Sequence, residues 1–94
     1  MSTIELAMFR LMPETDLAEF EAALMQTNQW LTTQAGFVRR QHGADDAGGR
    51  VDIVEWVDMA SAQAASKNFM AAPETRAYLA AIDPGSISMH HYGA

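Results

Sequence analysis

The first apolar segment has no polar side. From Thr3 to Leu11, Ile4, Leu6 and Met8 share one parity, while Ala7, Phe9 and Leu11 share the other. A strand that is apolar on both faces is covered on both faces. Met12-Pro13 ends it, because proline offers no ladder donor. Asp16 then opens a helix predicted over residues 16–35, with Glu19 completing a capping box in the first turn. Leu17, Phe20, Leu24 and Leu31 fall on one stripe at the helical repeat, with Thr27 and Asn28 beside it and Trp30 off it. Gly36 fits the left-handed position that closes a helix.

Two further strands, Phe37 to Ala44 and Arg50 to Val57, flank Asp45-Asp46-Ala47-Gly48-Gly49, an acidic, Gly-ended loop that reads as a hairpin. Asp58 caps a second helix from Met59 to Ala71, whose Ala62, Ala65 and Phe69 make a thin apolar stripe suited to close approach on a sheet. Pro73 breaks that helix and starts a short third one over Glu74 to Ile82. Asp83-Pro84-Gly85 is a turn, and Ser86 to Tyr92 is the last strand. The order β-α-β-β-α-β predicts a ferredoxin-like α+β fold in one domain, residues 1–94, with an antiparallel sheet of order 4-1-3-2. The helices cover one face only. An identical chain is the simplest cover for the other, so a homodimer is expected.

Composition narrows the field. A chain of 94 residues buries a modest core and is marginal alone, which also favours a dimer. With no cysteine, disulfide scaffolds, zinc–thiolate sites and thiol catalysis are excluded. A net charge of −6 argues against nucleic acid and anionic membrane surfaces as partners. No apolar run approaches the roughly 20 residues of a membrane span, and the N-terminus lacks a signal-peptide pattern. A soluble, cytoplasmic protein is expected.

Several side chains could carry chemistry. His90 and His91 are adjacent on a strand and point to opposite faces, so they do not share a metal ion. His90 shares its face with Ser86, Ser88 and Tyr92, a polar set that could line a cavity or lie at an exposed chain end. His91 shares its face with Ile87 and Met89, on the core side. Pairing residues 44 and 50 across the hairpin sets His42 opposite Asp52 and Arg39 opposite Glu55. Such pairs are ordinary sheet stabilisation. Alternatively, Asp52 could orient His42 as a base, although the hairpin tip argues for exposure of His42. Glu55 lies among apolar neighbours in a central strand and could serve as a general base toward a phenol or enol. Trp30 caps a helix–sheet edge, meets a partner subunit or roofs a pocket; Trp56 belongs to a core or interface. Arg39 and Arg40 point apart and form no phosphate clamp. No G-x-S-x-G nucleophile elbow is present.

Gly36-Phe37, Val54-Glu55-Trp56, the helix running to Phe69-Met70-Ala71-Ala72-Pro73, and Met89-His90-His91-Tyr92 together resemble the antibiotic-biosynthesis-monooxygenase-like group of the dimeric α+β barrel superfamily, over nearly the whole chain. The resemblance implies two sheets facing each other across a dimer, with pockets between sheet and helices. Within that group some members oxidise aromatic polyketides without metal or prosthetic group, and others degrade haem. The haem-degrading pattern has a Trp and a His in the second helical region. Here that stretch shows Phe69 and Tyr78 or Leu79, and no histidine lies between His42 and His90. Helix-borne haem ligation is therefore unsupported. The resulting expectation is a dimer with no cofactor and no metal, oxygenating a small aromatic substrate. Glu55, His90 and Tyr92 are the candidate catalytic residues; Trp30, Trp56 and Phe69 are the candidate ligand contacts. The alternative is a non-catalytic ligand-binding or stress-related dimer of the same fold.

Overall fold

The computed structural model describes residues 2–94. Four strands, β1 (Thr3–Arg10), β2 (Phe37–Ala44), β3 (Gly49–Trp56) and β4 (Ser88–Gly93), form one antiparallel sheet of order β2-β3-β1-β4. Helices α1 (Leu17–Leu31), α2 (Met59–Ala71) and α3 (Arg76–Ala81) complete the predicted βαββαβ order, with a single 3-10 turn at Pro73–Thr75 leading into α3. The hairpin register is the predicted one: Ala44 faces Arg50, His42 faces Asp52 and Arg39 faces Glu55. A bulge between Phe37 and Arg39 shifts the register at the far end.

Helix α1 stops four residues short of the predicted end. Thr32 and Thr33 turn their hydroxyls back onto the Gln29 and Trp30 carbonyls, both at 2.6 Å. The backbone tightens with them, since Thr33 N–H and Gln34 N–H bond three residues back. This local competition with the helix ladder is typical of threonine. Gly36 does adopt the left-handed conformation, at φ +83°, but closes the turn after the helix. A Cβ there would lie 2.4 Å from Ser61 Oγ, so α2 packs directly against this glycine. Strand β4 begins two residues later than expected, because Ser86 is held in a turn. Its hydroxyl accepts from Arg10 N–H at 2.8 Å and donates to the Asp83 carbonyl at 2.7 Å.

Strand β1 explains the division of the sheet. Thr3, Glu5, Ala7 and Phe9 are buried beneath the helices, whereas Ile4, Leu6 and Met8 point to the helix-free side. Under the helices, one core cluster gathers Phe9, Phe20, Ala23, Leu24, Tyr78 and Ile82. A second gathers Trp30, Leu31, Val54, Trp56, Ala62 and Ala65. Phe69 packs against both. Burying each large ring stabilises the fold by about 1.5–3 kcal/mol before entropy is counted. On the helix-free face, Met8, Ile53 and Tyr92 remain 44%, 38% and 52% exposed. Among the described residues no helix is long and apolar enough to cross a membrane.

Candidate functional site

A cavity of about 240 Å³ lies between the helix-facing side of the sheet and helices α1 and α2. Glu5, Ala7, Asp52 and Val54 form its sheet wall. Thr27, Trp30 and Leu31 come from α1; Ala65, Ser66, Phe69 and Met70 come from α2. The small Ala65 and Ser66 leave this room, since larger side chains on that face of α2 would fill it. Trp30 and Phe69 meet edge to face, with ring centroids 5.6 Å apart. Met70, Ile87 and Met89 line the cavity yet are exposed, so they mark its mouth beside the β4 edge.

Two polar groups are built into this apolar wall. The first centres on Glu5, which is 8% exposed. The Trp56 indole N–H donates to Oε1 at 3.1 Å, and the Ser66 hydroxyl donates to Oε2 at 3.0 Å. His91, directly opposite Glu5 on β4, places Nε2 3.3 Å from Oε2. A carboxylate buried in apolar surroundings needs such hydrogen-bond partners to offset the loss of water.

The second group centres on Asp52. Arg40 Nη2 donates to Oδ2 at 2.8 Å, the Tyr78 hydroxyl donates to the same oxygen at 2.6 Å, and His42 Nδ1 lies 2.6 Å from Oδ1. Arg40 also donates to Asn28 Oδ1 and to Tyr78 Oη, and its guanidinium lies over the Tyr78 ring. Burial would raise Asp52, but the His42 hydrogen bond, the Arg40 charge and hydrogen bond, and the Tyr78 hydroxyl together hold its carboxyl below the ordinary 3.8. Tyr78 moves the other way. Burial first, then the Asp52 charge, push its phenol well above the ordinary range, with Arg40 only partly offsetting them. Tyr78 thus stays protonated and acts as a fixed donor.

Of the residues singled out in the sequence, Trp30 and Phe69 line the cavity. Trp30 is buried, although it lies off the main helical stripe. Trp56 stands behind Glu5 and fixes it. Glu55, His90 and Tyr92 lie together on the helix-free face, where Glu55 and Tyr92 flank Ile4. Glu55 pairs with Arg39 Nε at 3.0 Å. His90 and Tyr92 stack with ring centroids 6.2 Å apart, and Ser88 Oγ lies 3.0 Å from His90 Nε2. His42, expected to be exposed near the hairpin tip, has a side chain only 13% exposed because it lies between Phe9 and Phe20. The two arginines do point apart: Arg39 to Glu55, Arg40 to Asp52.

Sequence reasoning passed over Glu5, Thr27, Ser66 and Tyr78 as site residues. A signal was available for Glu5, which shares the parity of Ala7 and Phe9 and is the only charged residue on that side of β1. Ser66 carried a weaker one, a hydroxyl next to the Ala62–Ala65 stripe.

No protein-family model matches the chain, and no curated protein matches its sequence. Its fold has clear counterparts among solved structures. SnoaB, a cofactor-independent oxygenase from Streptomyces nogalater, superposes with a TM-score of 0.77 at 21% identity, covering 99% of this chain and 92% of the other. A proposed antibiotic biosynthesis monooxygenase from Bordetella bronchiseptica gives 0.78 at 15% identity, covering 99% and 96%. A dimeric ferredoxin-like protein of unknown function from Jannaschia sp. CCS1 gives 0.74 at 12% identity and spans both chains fully. The ferredoxin-like α+β fold of this chain is the fold of these proteins.

Proposed function

We propose that this protein is a homodimeric oxygenase acting without cofactor on a small hydroxyaromatic substrate bound in the cavity. The observation that carries the reading is a buried carboxylate, Glu5, held by Trp56 and Ser66 in the wall of a predominantly apolar cavity large enough for two fused rings. An apolar cavity of about 150 Å³ holds a benzene, so 240 Å³ accommodates a two-ring compound. The fold shared with a cofactor-independent oxygenase adds support.

In this reading Glu5 takes a proton from a hydroxyaromatic or anthrone-like ring, with His91 behind it to pass the proton on. The resulting electron-rich anion reduces dioxygen directly. For a ring methylene the balance is CH2 plus O2 to C=O plus water, through a carbon-bound peroxide that loses water. Trp30 and Phe69 hold the ring, and Trp56 and Ser66 hold the base. Two copies of the chain close over the helix-free face. Glu55, His90 and Tyr92 on that face are the candidates for a second reading, in which the reacting groups lie at the opposing sheets.

Oxygen uptake with 1,3-dihydroxynaphthalene, a two-ring compound whose keto form carries a ring methylene, comparing Glu5→Gln with Glu55→Gln, separates the two. The cavity reading expects Glu5→Gln to keep binding and lose turnover by ~10²–10⁴, and Glu55→Gln to keep both. The reverse outcome assigns the base to Glu55. No uptake above the buffer blank by the unaltered protein rejects oxygenation of this class and leaves a binding protein.

A further inference from the structure

Among the described residues, three buried side-chain atoms have no hydrogen-bond partner: Thr27 Oγ1, Arg40 Nε and His91 Nε2. His91 Nε2 at least lies 3.3 Å from the Glu5 carboxylate. Thr27 and Arg40 have nothing comparable for these atoms, although Thr27 is fully buried and the Arg40 side chain is 5% exposed. An unpaired buried hydroxyl or guanidinium N–H is costly, and folded proteins rarely leave one without a purpose. Both residues line the cavity. They are also tied together, because Arg40 Nη1 bonds Asn28, the neighbour of Thr27 on α1.

The geometry points to Thr27 Oγ1 and Arg40 Nε as a pair that recognises a single oxygen substituent on an aromatic ring in the cavity. This rests on the aromatic-cavity reading above and adds which atoms read the ligand's polar end.

The chemistry of the two atoms selects the ligand. Arg40 Nε–H can only donate, so it requires an acceptor oxygen, whereas the Thr27 hydroxyl can donate or accept. A phenol satisfies both: its oxygen accepts from Arg40, and its hydrogen goes to Thr27. Once the phenol is ionised, both groups donate to the oxyanion. A phosphate or carboxylate group is a poorer match. Three of the four other guanidinium N–H groups serve Asn28, Asp52 and Tyr78, and the Arg40 charge is already answered by Asp52 at 2.8 Å. The nearby rings of Trp30 and Phe69 favour an aromatic body.

Equilibrium dialysis with 1-naphthol and naphthalene tests this, since the two share a ring frame and differ by the hydroxyl. The unaltered protein is expected to prefer 1-naphthol by about tenfold. Thr27→Val, nearly the same shape without the hydroxyl, should lose most of that preference and leave naphthalene binding unchanged; Thr27→Ser should restore it. Arg40→Lys, checked for folding by circular dichroism, should lose it as well. If both compounds bind the unaltered protein equally, or Thr27→Val leaves the ratio intact, the pair does not read the oxygen, although the aromatic cavity stands. If neither compound binds, the cavity reading fails and takes this inference with it.

Discussion

The Tyr78 hydroxyl donates to Asp52 Oδ2 at 2.6 Å while accepting from Arg40 Nη2 at 2.9 Å. One phenol thus joins the acid and the base of the same buried ion pair, and it does so from α3, an element with no other polar hold on the sheet wall of the cavity. Phe20 stacks on its ring at 5.2 Å, and Phe69 meets it edge-on at 6.2 Å.

Tyr78→Phe tests the value of that link. The ring contacts survive and only the hydroxyl is lost. Hydrogen bonds to charged groups contribute about 1.5–3 kcal/mol, so urea unfolding should show a loss in that range with an unchanged m-value. A loss below about 0.5 kcal/mol would mean that Arg40 and His42 alone satisfy Asp52.

The same network sets the pH dependence of stability. Asp52 has a folded-state value below its unfolded one, so its contribution is complete above about pH 4 and is lost as pH falls through the folded value. Tyr78 has a folded-state value raised above 10.0, so its contribution is complete below about pH 10 and is lost as pH climbs beyond it. Urea midpoints measured across this range should fall at both extremes. Tyr78→Phe should flatten the alkaline side and leave an acid limb; identical alkaline limbs in the two proteins would exclude Tyr78 as the group responsible.

The helix-free face should prove to be a contact between two copies. Leu6 lies at its middle, between Ile53 on β3 and His90 on β4. Light scattering after size exclusion is expected to give a dimer, and Leu6→Asp a folded monomer, because an unpaired carboxylate in an apolar interface is strongly unfavourable. A wild-type monomer at micromolar concentration would contradict the assignment.

Much of this architecture was legible in the chain. The βαββαβ succession of elements led to the strand order, the doubly apolar β1 to the expectation of cover on both faces, and the Gly-ended loop to the hairpin register from Arg39–Glu55 to Ala44–Arg50. The end of α1 was not legible, because Thr32 and Thr33 settle it by hydroxyl bonds that no hydrophobic period reports. The cavity was partly legible. Trp30 and Phe69 are aromatic and attract notice, whereas Glu5 and Ser66 meet only once the sheet and α2 pack together, 61 residues apart in sequence. Glu55 drew attention by its apolar neighbours, but strand parity does not say which face the helices will choose.

That parity has a consequence for how the protein can change. In β1 the carboxylate of the cavity sits between two residues of the opposite surface, Ile4 and Leu6. Sliding the strand by one position would turn Glu5 outward and push both aliphatic side chains into the cavity. Insertions or deletions of a single residue within Thr3–Arg10 therefore strike the cavity and the helix-free face in the same stroke. Substitutions in this strand can be explored singly, but its length cannot.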